Sequence, residues 1–180
     1  KRVGAPEDLI QIIEEPSIDA TGELMAQVDL VLATGGSAMV KAAYSSGTPA
    51  YGVGPGNSVQ IIAEDADIKD AVAKIVLSKC FDHATSCSSE NSIIIADSVY
   101  NQVLKFLVDS GSYLCTGEER DMLGKWMWIE NSRGSRSINP AIVAKSAKVI
   151  ADEAGLKVPE NTEILIVDGA MPLEEDFFSQ

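Results

Sequence analysis

The residues best suited to covalent chemistry lie between Phe81 and Ser92, where a single cysteine stands among small polar side chains. Thr85 and Ser86 precede Cys87, and two further serines follow it. Backbone N–H groups near a turn stabilise a thiolate, which is the nucleophilic form of cysteine. The pattern therefore predicts Cys87 as a nucleophile. His83, the only histidine of the sequence, is either a base for this thiol or an exposed loop residue without a role.

The other two cysteines are predicted to pack rather than to react. Cys80 falls at the end of a predicted helix, and Cys115 follows a strand-like pair of residues. Free cysteines in such positions are usually buried and inert. An odd number of cysteines argues against a secreted disulfide scaffold. A single histidine and the lack of a CxxC spacing argue against a structural zinc site, so no metal is predicted.

A glycine turn is the second feature that could do chemistry. The apolar run from Val28 to Ala33 predicts a strand, and Thr34, Gly35, Gly36 and Ser37 follow it, the last as the N-cap of a helix. Such a turn presents backbone N–H groups at a helix N-terminus, where a phosphate is favoured. The alternative is a plain tight turn of a parallel sheet, because the motif is shorter than a complete GxGxxG fingerprint.

These two features are positioned by alternating strands and helices. Further strands are predicted over residues 49–54, 58–63, 92–96, 141–143 and 164–167, and helices over residues 37–44, 68–80, 98–109 and 146–154. Asp65 or Asp67 is the expected cap of the helix that leads to the cysteine loop. The alternation indicates an α/β fold with a largely parallel sheet. A change of composition between Gly52 and Gly56 divides the chain into residues 1–56 and 57–180.

Composition argues against several classes of function. Hydrophobic residues make up 46% and charged residues 23%, as in an ordinary globular domain. Asp and Glu number 27 against 14 Lys and Arg, and a net charge of -13 disfavours nucleic acid or an anionic membrane as a partner. The apolar runs fall far short of the roughly 20 residues that span a bilayer, and the first residues do not resemble a signal peptide. We therefore expect a soluble, cytoplasmic protein.

Four motifs together resemble the CoA-acylating aldehyde dehydrogenases. They are residues 33–47 (ATGGSAMVKAAYSSG), residues 52–57 (GVGPGN), the pair FD at 81–82 with CSSEN at 87–91, and VPENT at 158–162. The resemblance covers essentially all 180 residues and corresponds to the middle of a longer family chain. It implies that residues 1–56 end a Rossmann-type dinucleotide-binding domain and that residues 57–180 begin the α/β catalytic domain. The chain is then expected to be a fragment.

The resemblance also implies covalent catalysis by Cys87, with NAD or NADP as the cofactor and coenzyme A as a co-substrate. In that chemistry the thiolate adds to a small aldehyde, and coenzyme A collects the acyl group from a Cys87 thioester. The Cys87 backbone N–H is the expected donor to the oxyanion. A homo-oligomer, at least a dimer, is implied as well. The residues expected to contact the dinucleotide are Thr34, Gly35, Gly36, Ser37, Val53 and Gly54.

Val53 favours transfer to coenzyme A over hydrolysis. In resembling hydrolytic enzymes a glutamate that activates water stands at this position, 34 residues before Cys87. Valine cannot take a proton, and a general base contributes about 10²- to 10⁴-fold. In one alternative, Glu90 activates water instead and the product is the free acid. In another, the chain is a non-catalytic segment that only retains the fold.

The cysteine loop departs from the commonest acylating pattern, in which Asn-Gly would stand at His83 and Ala84, with larger apolar residues at Thr85 and Ser86. Small hydroxylated side chains suit a polar aldehyde, and this variant looks like the acylating sulfoacetaldehyde dehydrogenases. We therefore predict His83, Thr85 and Ser86 as substrate-binding residues.

Two arginines add a second predicted contact with substrate. Arg133 and Arg136 lie in a short serine-rich stretch, where they could pair with a sulfonate or a phosphate. Arg136 is taken as a substrate-binding residue. The alternatives are contact with the phosphates of coenzyme A or NADP, or a solvated basic loop.

Overall fold

The computed structural model describes residues 4–130, 136–169 and Phe178. The chain divides into two compact units, residues 1–55 and residues 56–180. Both units combine helices with parallel strands, so the predicted α/β class is confirmed. In the described part of the chain, no helix is both long and apolar enough to cross a membrane.

The first unit is built on a strand–helix–strand motif, as predicted. Its elements are α1 (Ile18–Gln27), β1 (Val31–Thr34), α2 (Ser37–Ser45) and β2 (Ala50–Val53). β1 and β2 pair in parallel, with Thr34 opposite Val53 at the carboxyl end. Alternate residues of a strand point to opposite faces, so Val31 and Ala33 are buried in the core of the unit while Leu32 between them is exposed.

The start of α2 differs from the prediction. Gly36, not Ser37, is the N-cap residue, and no side chain caps this end. Gly36 already has the extended backbone of a cap, with φ -68° and ψ 166°, so Ser37 becomes the first helical residue. At the other end the chain turns at Gly47, whose φ of +85° suits glycine, as the sequence predicts.

The second unit carries the cysteine loop between its first two strands. Its elements are β3 (Ser58–Ile62), α3 (Ile68–Cys80), β4 (Glu90–Ile95), α4 (Tyr100–Asp109), β5 (Ser112–Leu114), α5 (Gly117–Met127), β6 (Trp128–Glu130), β7 (Arg136–Ile138), α6 (Ala147–Glu153) and β8 (Ile164–Ile166). β3–β4 and β5–β8 are parallel pairs, and β6–β7 is antiparallel. The described strands form four two-stranded sheets, and three of these pairs are parallel, as the largely parallel arrangement predicted from the sequence requires.

Helix α3 sets the position of the cysteine loop. It begins after Asp67, one of the two predicted caps, whose carboxylate accepts the Asp70 N–H at 3.1 Å. Val72 and Ile75 lie on one face and are buried in the core of the second unit. Burying each such side chain stabilises the fold by about 1.5–3 kcal/mol. Because α3 ends at Cys80, the loop starts from a helix that is anchored along its length.

The prediction of a strand over residues 141–143 is wrong. Pro140–Ile142 forms a 3₁₀ turn, and the Asn139 side chain caps it by accepting the Ala141 N–H at 3.0 Å. Proline fixes its own φ and lacks the N–H that a strand requires. Helix α5 is an element that the sequence analysis does not predict, although a capping box formed by Thr116 and Glu119 marks its start.

Candidate active site

The glycine turn closes the carboxyl end of the β1–β2 pair. The Gly35 N–H donates to the Val53 carbonyl oxygen at 3.1 Å, which extends the pairing by one residue. Gly35 has a φ of +152°, a conformation that residues with a side chain rarely adopt. Thr34, Gly36 and Ser37 are exposed, and a Cβ on Gly36 would meet no atom within 4 Å. The turn is therefore open to a ligand.

This geometry fits a nicotinamide dinucleotide. The N-terminus of α2 offers backbone N–H donors and the positive end of the helix dipole to a phosphate oxygen. Bare glycine backbone also allows a ligand to approach closely. Val53 ends β2 and Gly54 follows it, so the six residues predicted to contact the dinucleotide lie in one unit, at or next to this turn. The Val53 side chain has no group that could activate water.

The cysteine loop begins with a left-handed turn. Asp82, His83 and Ala84 have φ values of 50°, 48° and 59°. For residues other than glycine this backbone costs roughly 1–2 kcal/mol each, so three consecutive positions are strained. Thr85 closes the turn, since its N–H and its hydroxyl donate to the Asp82 carbonyl oxygen at 3.0 and 2.6 Å. The Thr85 hydroxyl, predicted to contact substrate, is thus bonded to its own loop, and the His83 side chain is exposed.

Cys87 lies in a second turn directly after the first. The Ser89 N–H donates to the Ser86 carbonyl oxygen at 3.0 Å, so Cys87 and Ser88 occupy the two central positions of a β-turn. The turn hydrogen bond uses neither central N–H, and the Cys87 N–H donates to no backbone oxygen in the described part of the chain. Cys87 itself is exposed. The Ser86 and Ser88 hydroxyls hydrogen-bond to each other at 3.0 Å.

Contacts with the start of β3 hold Cys87 in place. A Cβ built on Gly56 would lie 1.9 Å from the Cys87 carbonyl oxygen, so a larger residue at this position would displace the loop. Beside this contact, Asn91 Nδ2 donates to Asn57 Oδ1 at 3.0 Å. The strand register shifts after Ser58, which accommodates Asn91 as an extra residue of β4. The thiol is therefore fixed by residues more than 30 positions away from it in the sequence.

The other two thiols lie in less reactive surroundings. Cys115 is buried, and burial together with the charge of Glu119 raises its pKa to about 11. Burial also raises the pKa of Cys80, and the charge of Glu163 adds to this effect. At neutral pH both groups are therefore protonated and poor nucleophiles. The packing role predicted for Cys115 is confirmed by its place in a core cluster with Leu123.

Glu90 begins β4, three residues after Cys87. One of its carboxylate oxygens, Oε2, is buried without a hydrogen-bond partner among the described residues. Lys79 lies close enough to feel its charge: burial lowers the pKa of Lys79, and the charge of Glu90 partly offsets that effect. An unsatisfied carboxylate oxygen beside the cysteine loop is the feature that supports Glu90 as a water-activating group.

An open groove of about 430 Å³ runs along the cysteine loop. Its first wall comes from α3 and the residue after it, namely Lys74, Leu77, Ser78 and Phe81. Its second wall is the β-turn around the thiol, namely Ser86, Ser88 and Ser89. Of the predicted substrate residues Ser86 lines this groove, whereas His83 and Thr85 belong to the preceding turn. The groove therefore borders the turn that carries Cys87, although Cys87 itself is not among the residues that line it.

Arg136, the arginine predicted to bind substrate, does not line this groove. Arg136 begins β7, where it lies opposite Glu130 of β6. It is not among the residues that line the groove, so its role with substrate stays a prediction. Arg133 lies outside the described residues.

Gly56 contacts the cysteine loop and Lys74 lines the groove, although the sequence analysis assigned neither residue a role in the site. Lys74 could have been found from its helical spacing to the other wall residues. Leu77, Ser78 and Phe81 follow it by three, four and seven residues, a spacing that places side chains on one face of a helix. For Gly56 the sequence offers only the run GPGN at residues 54–57. The contact that requires glycine there is made with Cys87, which is distant in the chain, so the local sequence does not reveal it.

Comparison with known proteins points to one family. The family model described as "Aldehyde dehydrogenase family" matches residues 1–167. A sulfoacetaldehyde dehydrogenase from Acholeplasma sp is 64% identical over 180 residues, which are 100% of this chain and 37% of the relative. An acylating sulfoacetaldehyde dehydrogenase from Bilophila wadsworthia (strain 3_1_6) is 54% identical over 178 residues, 99% of this chain and 38% of the relative. The chain thus spans little more than a third of the length of these relatives.

A solved structure agrees with this similarity. The crystal structure of an acetylating aldehyde dehydrogenase from Geobacillus thermoglucosidasius superposes with a TM-score of 0.87 at 40% sequence identity. The match covers 96% of this chain and 38% of the other. The two therefore share the fold over nearly the whole of this chain.

Proposed function

Because the chain belongs to the aldehyde dehydrogenase family, we propose that it supplies the nucleophile and part of the dinucleotide site of a CoA-acylating aldehyde dehydrogenase. The observation that carries the proposal is Cys87, an exposed thiol at the centre of a β-turn that Gly56 and β3 hold in place. The proposal takes the chain as the middle segment of a longer enzyme, in keeping with its share of the relatives' length. That longer protein is called the complete enzyme below.

The reaction is proposed to begin with attack by the Cys87 thiolate on the carbonyl carbon of an aldehyde. A carbon–sulfur bond forms, and the carbonyl electrons move to oxygen, where the Cys87 N–H can donate a hydrogen bond. When bound, NAD or NADP accepts a hydride from this carbon; the residues proposed to hold it are Thr34, Gly35, Gly36, Ser37, Val53 and Gly54. The carbon then remains on Cys87 as a thioester. The thiolate of coenzyme A attacks it, acyl-CoA leaves, and Cys87 returns to the thiolate.

Val53 supports thiolysis as the second half-reaction. A hydrolytic enzyme needs a base on water, and the side chain at the end of β2 cannot act as one. Coenzyme A needs less help, since its thiol is a strong nucleophile once it is deprotonated. We therefore expect the complete enzyme, given aldehyde and NAD(P)⁺, to form NAD(P)H at a steady rate only when coenzyme A is present. Steady NAD(P)H formation without coenzyme A, with free acid as the product, would contradict the proposal.

The second candidate function is hydrolytic oxidation with Glu90 as the base. The buried Oε2 of Glu90, which has no hydrogen-bond partner among the described residues, favours it, because a carboxylate oxygen without a partner can accept a proton. A Glu90→Gln variant separates the two functions. If water is the acceptor, free-acid formation falls by about 10²-fold or more; if coenzyme A is the acceptor, the CoA-dependent rate is largely kept.

Selective alkylation separates a catalytic chain from a structural one. We expect iodoacetamide at pH 7.5 to label Cys87 at least about 10²-fold faster than Cys80 or Cys115, because the latter two are shielded and protonated. Peptide mass spectrometry of the complete enzyme measures the three rates. Equal rates would favour a non-catalytic segment. A Cys87→Ser variant that kept normal turnover would also contradict the proposal.

The proposed partners are a small polar aldehyde, with sulfoacetaldehyde first, together with coenzyme A and NAD(P)⁺. The names of the two relatives support this choice of aldehyde. A cytoplasmic location is proposed because a working thiol needs a reducing compartment.

A homo-oligomer, at least a dimer, is also part of the proposal. Val59, Ile61 and Ile94 are exposed on the β3–β4 pair, and parallel strands are normally covered on both faces. The cover is proposed to come from the rest of the complete enzyme and from a second subunit. Light scattering on the complete enzyme tests this, and a monomer at micromolar concentration would contradict it.

A further inference from the structure

One residue that lines the groove along the cysteine loop, Ser89, carries a buried hydroxyl that has no hydrogen-bond partner among the described residues. Ser89 is only 9% exposed, and its Oγ makes no hydrogen bond within the described part of the chain. Leaving a buried hydroxyl unpaired costs free energy, and the great majority of such groups are satisfied in folded proteins. Ser89 also lines the groove. A ligand group in the groove that accepts a hydrogen bond would satisfy this hydroxyl.

Lys74 provides a positive charge on the opposite wall. Its ammonium pairs with Asp70, one helical turn earlier, at 2.5 Å, and both side chains are more than half exposed. Exposed pairs of this kind contribute little, so an anion in the groove could recruit the ammonium at small cost. The hydrogen bond and the charge of Asp70 raise the pKa of Lys74, which keeps the side chain charged at neutral pH.

The rest of the α3 wall is suited to a short carbon chain. Leu77 is 77% exposed and Phe81 is 70% exposed, although both are large apolar residues. In the sequence, both residues lie between Lys74 and the turn that carries Cys87. The lining of the groove therefore combines one cation, four serines and two apolar side chains, beside the turn that carries Cys87.

Resting on the function proposed above, we propose that this groove binds the anionic tail of the aldehyde substrate, a sulfonate or a carboxylate. Lys74 and Ser89 are the residues assigned to recognise the negative charge, assisted by Ser86 and Ser88, while the aldehyde carbon meets Cys87. A local cation matters here because the chain carries a net charge of -13, which would otherwise repel an anionic substrate. No bond forms or breaks at the tail, so its role is to orient the aldehyde.

The first experiment compares charged and neutral aldehydes in the complete enzyme. Lys74→Gln should lower kcat/KM for sulfoacetaldehyde and for succinate semialdehyde by about tenfold, the size expected for losing one charged hydrogen bond. The same variant should change kcat/KM for acetaldehyde by less than about twofold. Lys69→Gln is the matched control, because Lys69 is exposed on the same helix but does not line the groove. Equal losses for all three aldehydes, or no loss for either anion, would overturn the proposal.

The second experiment does not depend on turnover. Methanesulfonate should slow the alkylation of Cys87 by iodoacetamide, relative to potassium chloride at the same ionic strength, and Lys74→Gln should abolish this protection. Ser89→Ala should weaken the protection several-fold without lowering the melting temperature, since it removes an unpaired hydroxyl. If Ser89→Ala lowers the melting temperature and leaves the protection intact, Ser89 is structural and the assignment fails. If protection is found but no aldehyde is oxidised with coenzyme A, the proposed function fails while the anion site stands.

Discussion

In the glycine turn after β1, the positive φ falls on Gly35, whereas in the cysteine loop positive φ values fall on Asp82, His83 and Ala84. Glycine takes this backbone without steric penalty, so the first turn is relaxed. Three residues with side chains take it at a cost, so the second turn is strained. Each turn carries residues that the proposed function uses, yet the two turns differ in what they present.

The difference follows from what each turn presents. The glycine turn presents bare backbone, and the absence of side chains at Gly35 and Gly36 leaves room for the dinucleotide proposed to bind there. The cysteine loop presents one sulfur atom, whose position must be held closely. Strain at such a loop persists only where the surrounding contacts offset it, and here they are the two bonds of Thr85 to Asp82 and the approach of Gly56 to Cys87. The comparison leads to four predictions on the complete enzyme.

The largest effect is expected from Gly56→Ala. The added Cβ would lie 1.9 Å from the Cys87 carbonyl oxygen, so the loop must move by an ångström or more. A displacement of that size costs on the order of 10²-fold in rate. Steady-state kinetics with coenzyme A measures this loss. Gly117→Ala is the control, because its Cβ would meet no atom within 4 Å; if both variants kept full activity, the contact with Gly56 would not position the thiol.

Gly35→Ala should weaken the dinucleotide site without touching the thiol. A side chain at a φ of +152° costs on the order of 1–3 kcal/mol, so we expect NAD(P)H affinity, measured by fluorescence titration, to fall about tenfold. The rate of Cys87 alkylation should stay the same. Gly22→Ala, which also adds one methyl group to the first unit, should leave the affinity unchanged. An unaltered affinity in Gly35→Ala would mean that this turn does not hold the dinucleotide.

Ala84→Gly should relax the cysteine loop. Removing the Cβ at a φ of 59° is expected to stabilise the local turn by roughly 1 kcal/mol. The Thr85 amide, which donates to Asp82, should then exchange its hydrogen about fivefold more slowly. Ala144→Gly makes the same change at a φ of 58° away from the loop and should leave the Thr85 exchange rate unaltered. Faster exchange in Ala84→Gly would show that the loop is not strained at this residue.

The smallest effect is expected from Thr85→Val. It removes the hydroxyl bond to the Asp82 carbonyl and keeps the amide bond, so the turn should lose about 0.5 to 1 kcal/mol. Amide exchange at Thr85 and Ser89 should accelerate about threefold. Thr85→Ser keeps the hydroxyl and should behave like the unmodified enzyme. If Thr85→Ser accelerates exchange and Thr85→Val does not, the methyl group rather than the hydroxyl closes the turn.

Most of the regular elements could be predicted because their signals are local. The strand–helix–strand unit, the Asp67 cap and the glycine end of α6 at Gly155 all depend on residues close together in the chain. Where local signals compete, prediction was wrong: residues 141–143 look apolar and strand-like, but Pro140 before them cannot supply the N–H. The N-cap of α2 is Gly36 rather than Ser37, because glycine adopts the extended backbone of a cap as readily as serine does.

Residue types made Cys87 a candidate nucleophile, and the resemblance of four sequence motifs to the CoA-acylating aldehyde dehydrogenases implied the reaction, with a valine that cannot act as a base at position 53. Tertiary structure decided where that chemistry is held and what it faces: the approach of Gly56 to Cys87, the strained backbone at Ala84, and the groove that joins Lys74 to Ser89. Each of these depends on the distance between segments well separated in the chain, or on a backbone conformation that the residue itself disfavours. The local pattern of side chains determines neither the distance between such segments nor a backbone conformation of this kind.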